Sequence, residues 1–156
     1  MFINHAVRAA FELLPAQMYS PEAVQMIYAI GQQESRFEHR HQLGGPAKGF
    51  WQFELGGVRG VMAHPSTAPI LPDLMVALQY DADWNAKGLH ATLEHNDVLA
   101  ACMARLLLWT LPDALPAVEN LTLGWTQYKS AWRPGKPHPQ TWKAAWDVAS
   151  LARSRW

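Results

Sequence analysis

Between residues 38 and 72 the chain loses every regular period, and this gap constrains the fold more than any other feature. It holds Gly44-Gly45-Pro46, Gly49, Gly56-Gly57 and Gly60, then Pro65, Pro69 and Pro72. An aperiodic run of that length inside a compact chain is either functional or disordered. Its embedded Phe50-Trp51-Gln52-Phe53 has the residue types of a short strand, which favours a folded, functional loop. On both sides the pattern is helical. The expected class is therefore all-α, with a long irregular loop, carrying at most a short β element, after the second helix.

The helical segments have recognisable ends. The first is expected to start after Asn4 as N-cap, with Val7, Ala10, Phe11 and Leu14 on one face and Pro15 as its stop. The second begins with Ser20 as N-cap, Pro21 at the first helical position and Glu22 in the first turn, and is expected to reach about Phe37. Asp73 would open a third helix running through Trp84 to a stop at Gly88. Further helices are expected from Asn96 or Asp97 to just before Pro112, over about 117–132, and over about 140–153. The turn Arg133-Pro134-Gly135-Lys136-Pro137 separates the last two.

Size and composition narrow the function. A chain of 156 residues suits one domain, spanning 1–156, with a sizeable core. The 49% hydrophobic and 17% charged residues argue against disorder. The 13 basic and 13 acidic residues balance, which argues against nucleic acid as a partner. No run of 18 apolar residues spans a membrane, and MFINHAVRAAFELLP lacks the leader and apolar core of a signal peptide. The eight Trp side chains are core filling by default, or platforms for sugar rings. Cys102, among Ala101, Met103 and Leu106, reads as a small buried hydrophobe.

Several chemistries lack their motif. Seven histidines include His39 and His41 beside Glu38, but without His-Glu-x-x-His or a cysteine pair the spacing for zinc is missing, and no metal is expected. His90 and Glu94, four apart, are expected to share a surface hydrogen bond. No phosphate-binding Gly-x-x-x-x-Gly-Lys-Ser loop and no Gly-x-Ser-x-Gly is present.

One carboxylate is different. Ile27, Ile30, Gly31 and Glu34 fall within about a third of a turn at ~100° per residue, so Glu34 shares the apolar face. Burial and the negative end of the helix dipole both disfavour its ionised form. A Glu raised from ~4.3 toward ~6 or above can hold a proton near neutrality and give it to a leaving oxygen. Glycosidic cleavage asks this of its general acid.

The neighbouring residues carry a resemblance. Glu34-Ser35-Arg36-Phe37 followed by Gly49-Phe50-Trp51-Gln52 resembles the Glu-Ser-x-Phe and Gly-Leu-Met-Gln motifs of soluble lytic transglycosylases and goose-type lysozymes. Gly45-Pro46-Ala47-Lys48-Gly49 looks like the Gly-Ala-x-Gly turn of that superfamily with one residue inserted. Trp132-Arg133-Pro134-Gly135-Lys136-Pro137 is similar to phage-encoded lysozyme-like proteins. The match covers residues 20–54 well and 121–137 loosely.

The resemblance implies a lysozyme-like fold and cleavage of peptidoglycan between N-acetylmuramic acid and N-acetylglucosamine, without a cofactor. Glu34 would be the acid/base. Ser35 and Phe37 would set the helix end against the substrate loop, with Ser35 and Gln52 in the glycan groove. The third motif of the family, Ala-Tyr-Asn, is only partly present as Trp125-Thr126-Gln127-Tyr128. Either the Tyr128 hydroxyl orients Glu34, or Trp125 takes the aromatic place. A transglycosylase needs no second carboxylate, whereas a hydrolase places a water, often with a second acid. Glu54 would face the same way as Gln52 in an extended segment and is the candidate second acid; otherwise it is a solvated loop residue. Residues 132–139 either line the groove, where they would meet the anionic peptide stems, or form a rigid exposed turn. The expected partners are glycan strands and, for a phage protein, virion or lysis components. Its location would be the virion, or the host cytoplasm before release to the wall. The rival class is a non-catalytic glycan-binding or structural virion module.

Overall fold

The computed structural model describes residues 3–81 and 84–156. Their element order is α1 (Ile3–Leu13), a 3-10 turn (Ala16–Met18), α2 (Pro21–Glu34), α3 (Leu55–Ala63), α4 (Leu71–Ala77), α5 (Ala86–Thr92), α6 (Asp97–Trp109), α7 (Leu121–Trp132) and α8 (Pro139–Arg153). The fold is all-α. No described helix is long and apolar enough to cross a membrane.

Two helices form the centre. Every residue of α2 from Ala23 to Gly31 is buried, and so is every residue of α6 from Leu99 to Leu108. A helix apolar on all sides must be covered on all sides; α8 lies along α2, and α1 along α6. Gln25 is fully buried on α2, where a polar group without a partner would cost several kcal/mol, on the order of 2–7. Its amide donates to the Trp146 carbonyl (3.0 Å), and its oxygen accepts from Arg153 Nε (3.1 Å), so its polar needs fix α8 in place. The buried thiol of Cys102, pushed up to about 12 by burial, sits in the same core.

Helix ends follow side-chain caps where the sequence supplies them. Ser20 Oγ accepts from Ala23 N, Asn96 from Leu99 N and Asn120 from Leu123 N. The last of these starts α7 at Leu121, four residues beyond the expected 117.

Other boundaries are corrected by longer-range contacts. Asn4 is not a cap; it lies inside α1, and its Oδ1 accepts from the Tyr28 hydroxyl at 2.9 Å. Helix α2 ends at Glu34, three residues before the expected Phe37, because Arg36 and Phe37 take left-handed φ values of 54° and 57°. The expected helix from Asp73 to Gly88 is two short helices. It begins at Leu71, and Gln79 turns left-handed (φ 62°) while Asn96 Nδ2 holds the Tyr80 hydroxyl. Asn85 then caps α5 through Gly88 N; residues 82 and 83 of the expected helix lie outside the described residues.

The 38–72 region is also corrected. It contains α3, whose Gly56, Gly57 and Gly60 masked the helical signal and whose Val58 and Val61 face the core. Phe50–Phe53 forms no strand: Gln52 is left-handed (φ 48°), and only isolated bridges join His41 to Lys48 and Lys48 to Phe53.

Candidate active site

The junction of α2 with the loop that follows it sets the site. Ser35 Oγ donates to the Phe50 carbonyl at 2.6 Å and accepts from Phe37 N at 3.1 Å. One hydroxyl thus closes the left-handed turn and ties it to the loop fifteen residues on. Phe37 packs edge-on against Tyr28, Phe50 and Trp51. The ring lies so close to α2 that a Cβ on Gly31 would stand 2.3 Å from it. Trp51 Nε1 donates back to the Ile27 carbonyl at 2.8 Å.

The outer part of the loop is pinned by ion pairs and one glycine. Arg40 makes a two-pronged bridge to Asp97 (2.8 Å) and lies over the Phe50 ring. Lys48 pairs with Glu94 at 2.5 Å and, with His41, holds that carboxyl below its ordinary range. Gly49 has φ +72°, and a Cβ there would sit 2.7 Å from the Leu93 carbonyl, so no other residue fits. The expected His90–Glu94 hydrogen bond is absent, because His90 Nε2 faces the Phe53 carbonyl at 2.6 Å instead.

These contacts wall one side of an open cleft of about 1310 Å³, bordered on the other side by α7 and the α7–α8 turn. That exceeds the roughly 300–1,000 Å³ of small-molecule sites. Glu34, Gln52, Glu54 and Tyr128, drawn from three separate segments, all line it.

Glu34 is the last residue of α2 and is half-buried. Burial raises its carboxyl to about 7; the Tyr128 hydroxyl opposes the rise, and repulsion from Glu54 adds to it. The Tyr128 hydroxyl donates to Glu34 Oε1 at 2.6 Å. Burial, then the adjacent Glu34 charge, pushes the Tyr128 phenol above its usual range, so it stays protonated and serves as a fixed donor. With Oε1 so occupied, Oε2 is left to carry the exchangeable proton.

The remaining expected residues divide. Gln52 borders the cleft, but its amide nitrogen is spent on the Gly49 carbonyl (2.8 Å) and the His39 carbonyl (3.4 Å), so it organises the loop. Ser35 also borders the cleft, yet it is buried and its proton is committed to Phe50. Glu54 is exposed at the start of α3, and with Gln52 left-handed the segment is not the extended one expected. Trp125 does not border the cleft. It packs behind Tyr128, 5.3 Å between ring centres, while Trp142 stacks on the same phenol. Of the two aromatic residues weighed for the third motif, Tyr128 is the one that reaches Glu34.

Trp132 entered the sequence reading only as the first residue of a segment that would either line the groove or form an exposed turn. It lines the cleft, packs on Phe53 and donates from Nε1 to the Trp51 carbonyl at 2.7 Å, joining the two walls. Its signal was its position, one helical turn after Tyr128. The α7–α8 turn also lines the cleft, held by Gln33 Nε2 to the His138 carbonyl and Thr141 Oγ1 to Gln33 Oε1. No family model matches this chain, and no curated protein or solved structure matches it either.

Proposed function

We propose that the chain degrades peptidoglycan, cleaving the β-1,4 bond between N-acetylmuramic acid and N-acetylglucosamine with Glu34 as general acid/base. The observation that carries this reading is the Glu34 carboxyl itself: raised to about 7, oriented by Tyr128 and lining an open cleft of about 1310 Å³.

In the first step the Glu34 proton passes to the bridging oxygen as the glycosidic C–O bond breaks, leaving an oxocarbenium-like centre. The resulting carboxylate then takes a proton from the attacking hydroxyl. If that hydroxyl is water, the product has a reducing end. If it is the 6-hydroxyl of the muramoyl sugar, the product is a 1,6-anhydro ring. Tyr128 supports both steps, since its hydrogen bond strengthens as charge returns to Glu34. The resemblance of Trp132–Pro137 to phage-encoded proteins supports action on the wall at entry or at lysis.

Mass spectrometry of the muropeptides released from purified sacculi tests the reading. Anhydro-muramoyl or reducing-end products that disappear with Glu34→Gln support it, and an undigested wall refutes it.

A further inference from the structure

Helix α3 runs along the cleft, from Glu54 before its first turn to His64 after its last, and both ends line it. Gly56, Gly60 and His64 are spaced four apart and so share one side of the helix. The His64 N–H bonds to the Gly60 carbonyl at 3.0 Å, which keeps it in that register. A Cβ on Gly56 or Gly60 would meet nothing within 4 Å, so the helix shows bare backbone to the open space there. His64 is the side chain that ends this bare stretch. At ~1.5 Å per residue it stands ~15 Å along the axis from Glu54, whose charge acts on Glu34.

The ring of His64 is held in one tautomer. Ser66 N–H donates to its Nδ1 at 3.2 Å, and the Ser66 hydroxyl meets the same nitrogen at 2.7 Å. A backbone N–H can only donate, so Nδ1 carries the lone pair and the proton of the neutral ring sits on Nε2. Nε2 itself has no hydrogen-bond partner among the described residues. It is not sealed off either, since Gln127 Oε1 is the one buried side-chain polar atom left without a partner among them. His64 is also absent from the groups acting on Glu34, which are burial, Tyr128 and Glu54. The cleft therefore carries an oriented, unspent N–H donor with no part in tuning the acid.

We infer that His64 is a positioning residue for the glycan, its Nε2–H donating to a neutral oxygen of a sugar bound along α3, beyond those at the scissile bond. This rests on the proposed glycan cleavage and adds a remote contact to it. The bare backbone at Gly56 and Gly60 lets the chain lie close to the helix, and His64 ends that track with one directional bond. Contacts far from the reacting centre hold the substrate in place for reaction there, and truncated substrates forfeit them. The contribution of His64 therefore grows with strand length.

The test measures kcat/KM on glycan strands of graded length, from the shortest oligomer that is cleaved to long strands, for wild type, His64→Leu and His64→Gln. On long strands His64→Leu should lose about fivefold, the effect of one neutral hydrogen bond, and the loss should shrink as the strand shortens. His64→Gln keeps an amide donor at the reach of Nε2 and should recover most of that loss. A loss equal at every length would place the effect at the acid or in the fold and overturn the inference. Unchanged rates in His64→Leu, or equal losses in the two variants, would overturn it as well, while leaving glycan cleavage intact. Wild-type protein inert at every length would remove the functional reading and this inference together. Two readouts need no turnover. Nitrogen NMR of the imidazole should show Nδ1 unprotonated in the neutral ring; a proton on Nδ1 overturns the assignment. Capture of long strands by Glu34→Gln protein should weaken when His64→Leu is added; equal capture counts against it.

Discussion

The Tyr128 hydroxyl donates to Glu34 Oε1 at 2.6 Å, joining residues 94 positions apart in the chain. That bond opposes the effect of burial on the carboxyl, so Glu34 lies near 7 instead of higher. Stacking of Trp142 on the phenol, and Trp125 behind it, hold the donor where it is.

Glu34→Gln keeps the shape of the side chain and removes its transferable proton. Turnover of sacculi should fall by ~100-fold or more. Because the Glu34 pKa is raised on folding, the folded state binds the extra proton between about 4.5 and about 7. Its stabilising share is complete below 4.5 and is lost as pH rises through 7. The variant should therefore match wild type in denaturant melts near pH 4 and exceed it at pH 8, by on the order of 3 kcal/mol. Wild-type activity in the variant would sink the site assignment.

Tyr128→Phe removes a hydrogen bond that favours the charged acid. The alkaline limb of the kcat/KM profile, expected near pH 7 in wild type, should move upward. The rate at its optimum should drop by ~10-fold as the carboxyl loses its orientation. A limb that stays in place would mean that the bond does not govern Glu34 ionisation.

Glu54→Gln removes the repulsion that adds to the raised pKa of Glu34, so the same limb should shift toward acid. If cleavage proceeds by 6-hydroxyl attack, activity falls modestly and anhydro products remain dominant. A loss as deep as that of Glu34→Gln, with reducing-end products from the wild type, would instead identify Glu54 as the second acid of a hydrolase.

Ser35→Ala leaves the Phe50 carbonyl without the partner it has at 2.6 Å. The expected cost is about 1–3 kcal/mol of stability, read from urea melts. Activity should fall more than stability alone explains, because the loop beside Glu34 loses its tie to α2. Full activity with unaltered melting would show that the clamp is dispensable.

Gly31→Ala places a Cβ 2.3 Å from the Phe37 ring, which is itself wedged between Tyr28, Phe50 and Trp51. Overpacking of this kind costs roughly 1–3 kcal/mol, several degrees in Tm by calorimetry for a chain of this size. An unchanged Tm would mean that the ring has room to move.

Much of this was legible in the sequence, because it is local. Ser20-Pro21 starts α2, Asn96 starts α6 and Trp142, Trp146 and Ala149 face inward from α8, since capping and helical periodicity act over three or four residues. The placement of Glu34 on the face of Ile27, Ile30 and Gly31 followed from the same spacing. Where neighbours misled, the decision came from afar. Gly56, Gly57 and Gly60 look like loop but form α3, because Val58 and Val61 gain burial that outweighs poor propensity. Phe50–Phe53 looks like strand but turns, because Ser35, Gln52 and the Lys48–Glu94 pair hold it otherwise. The sequence by itself determined the long central helices α2 and α6, the last helix α8 and the odd carboxylate. Only the tertiary structure decided that Tyr128, not Trp125, reaches Glu34 and that α7 closes the cleft. Residues 94 positions apart have no local rule to bring them together; they meet because α8 packs along α2 and α7 packs against α8.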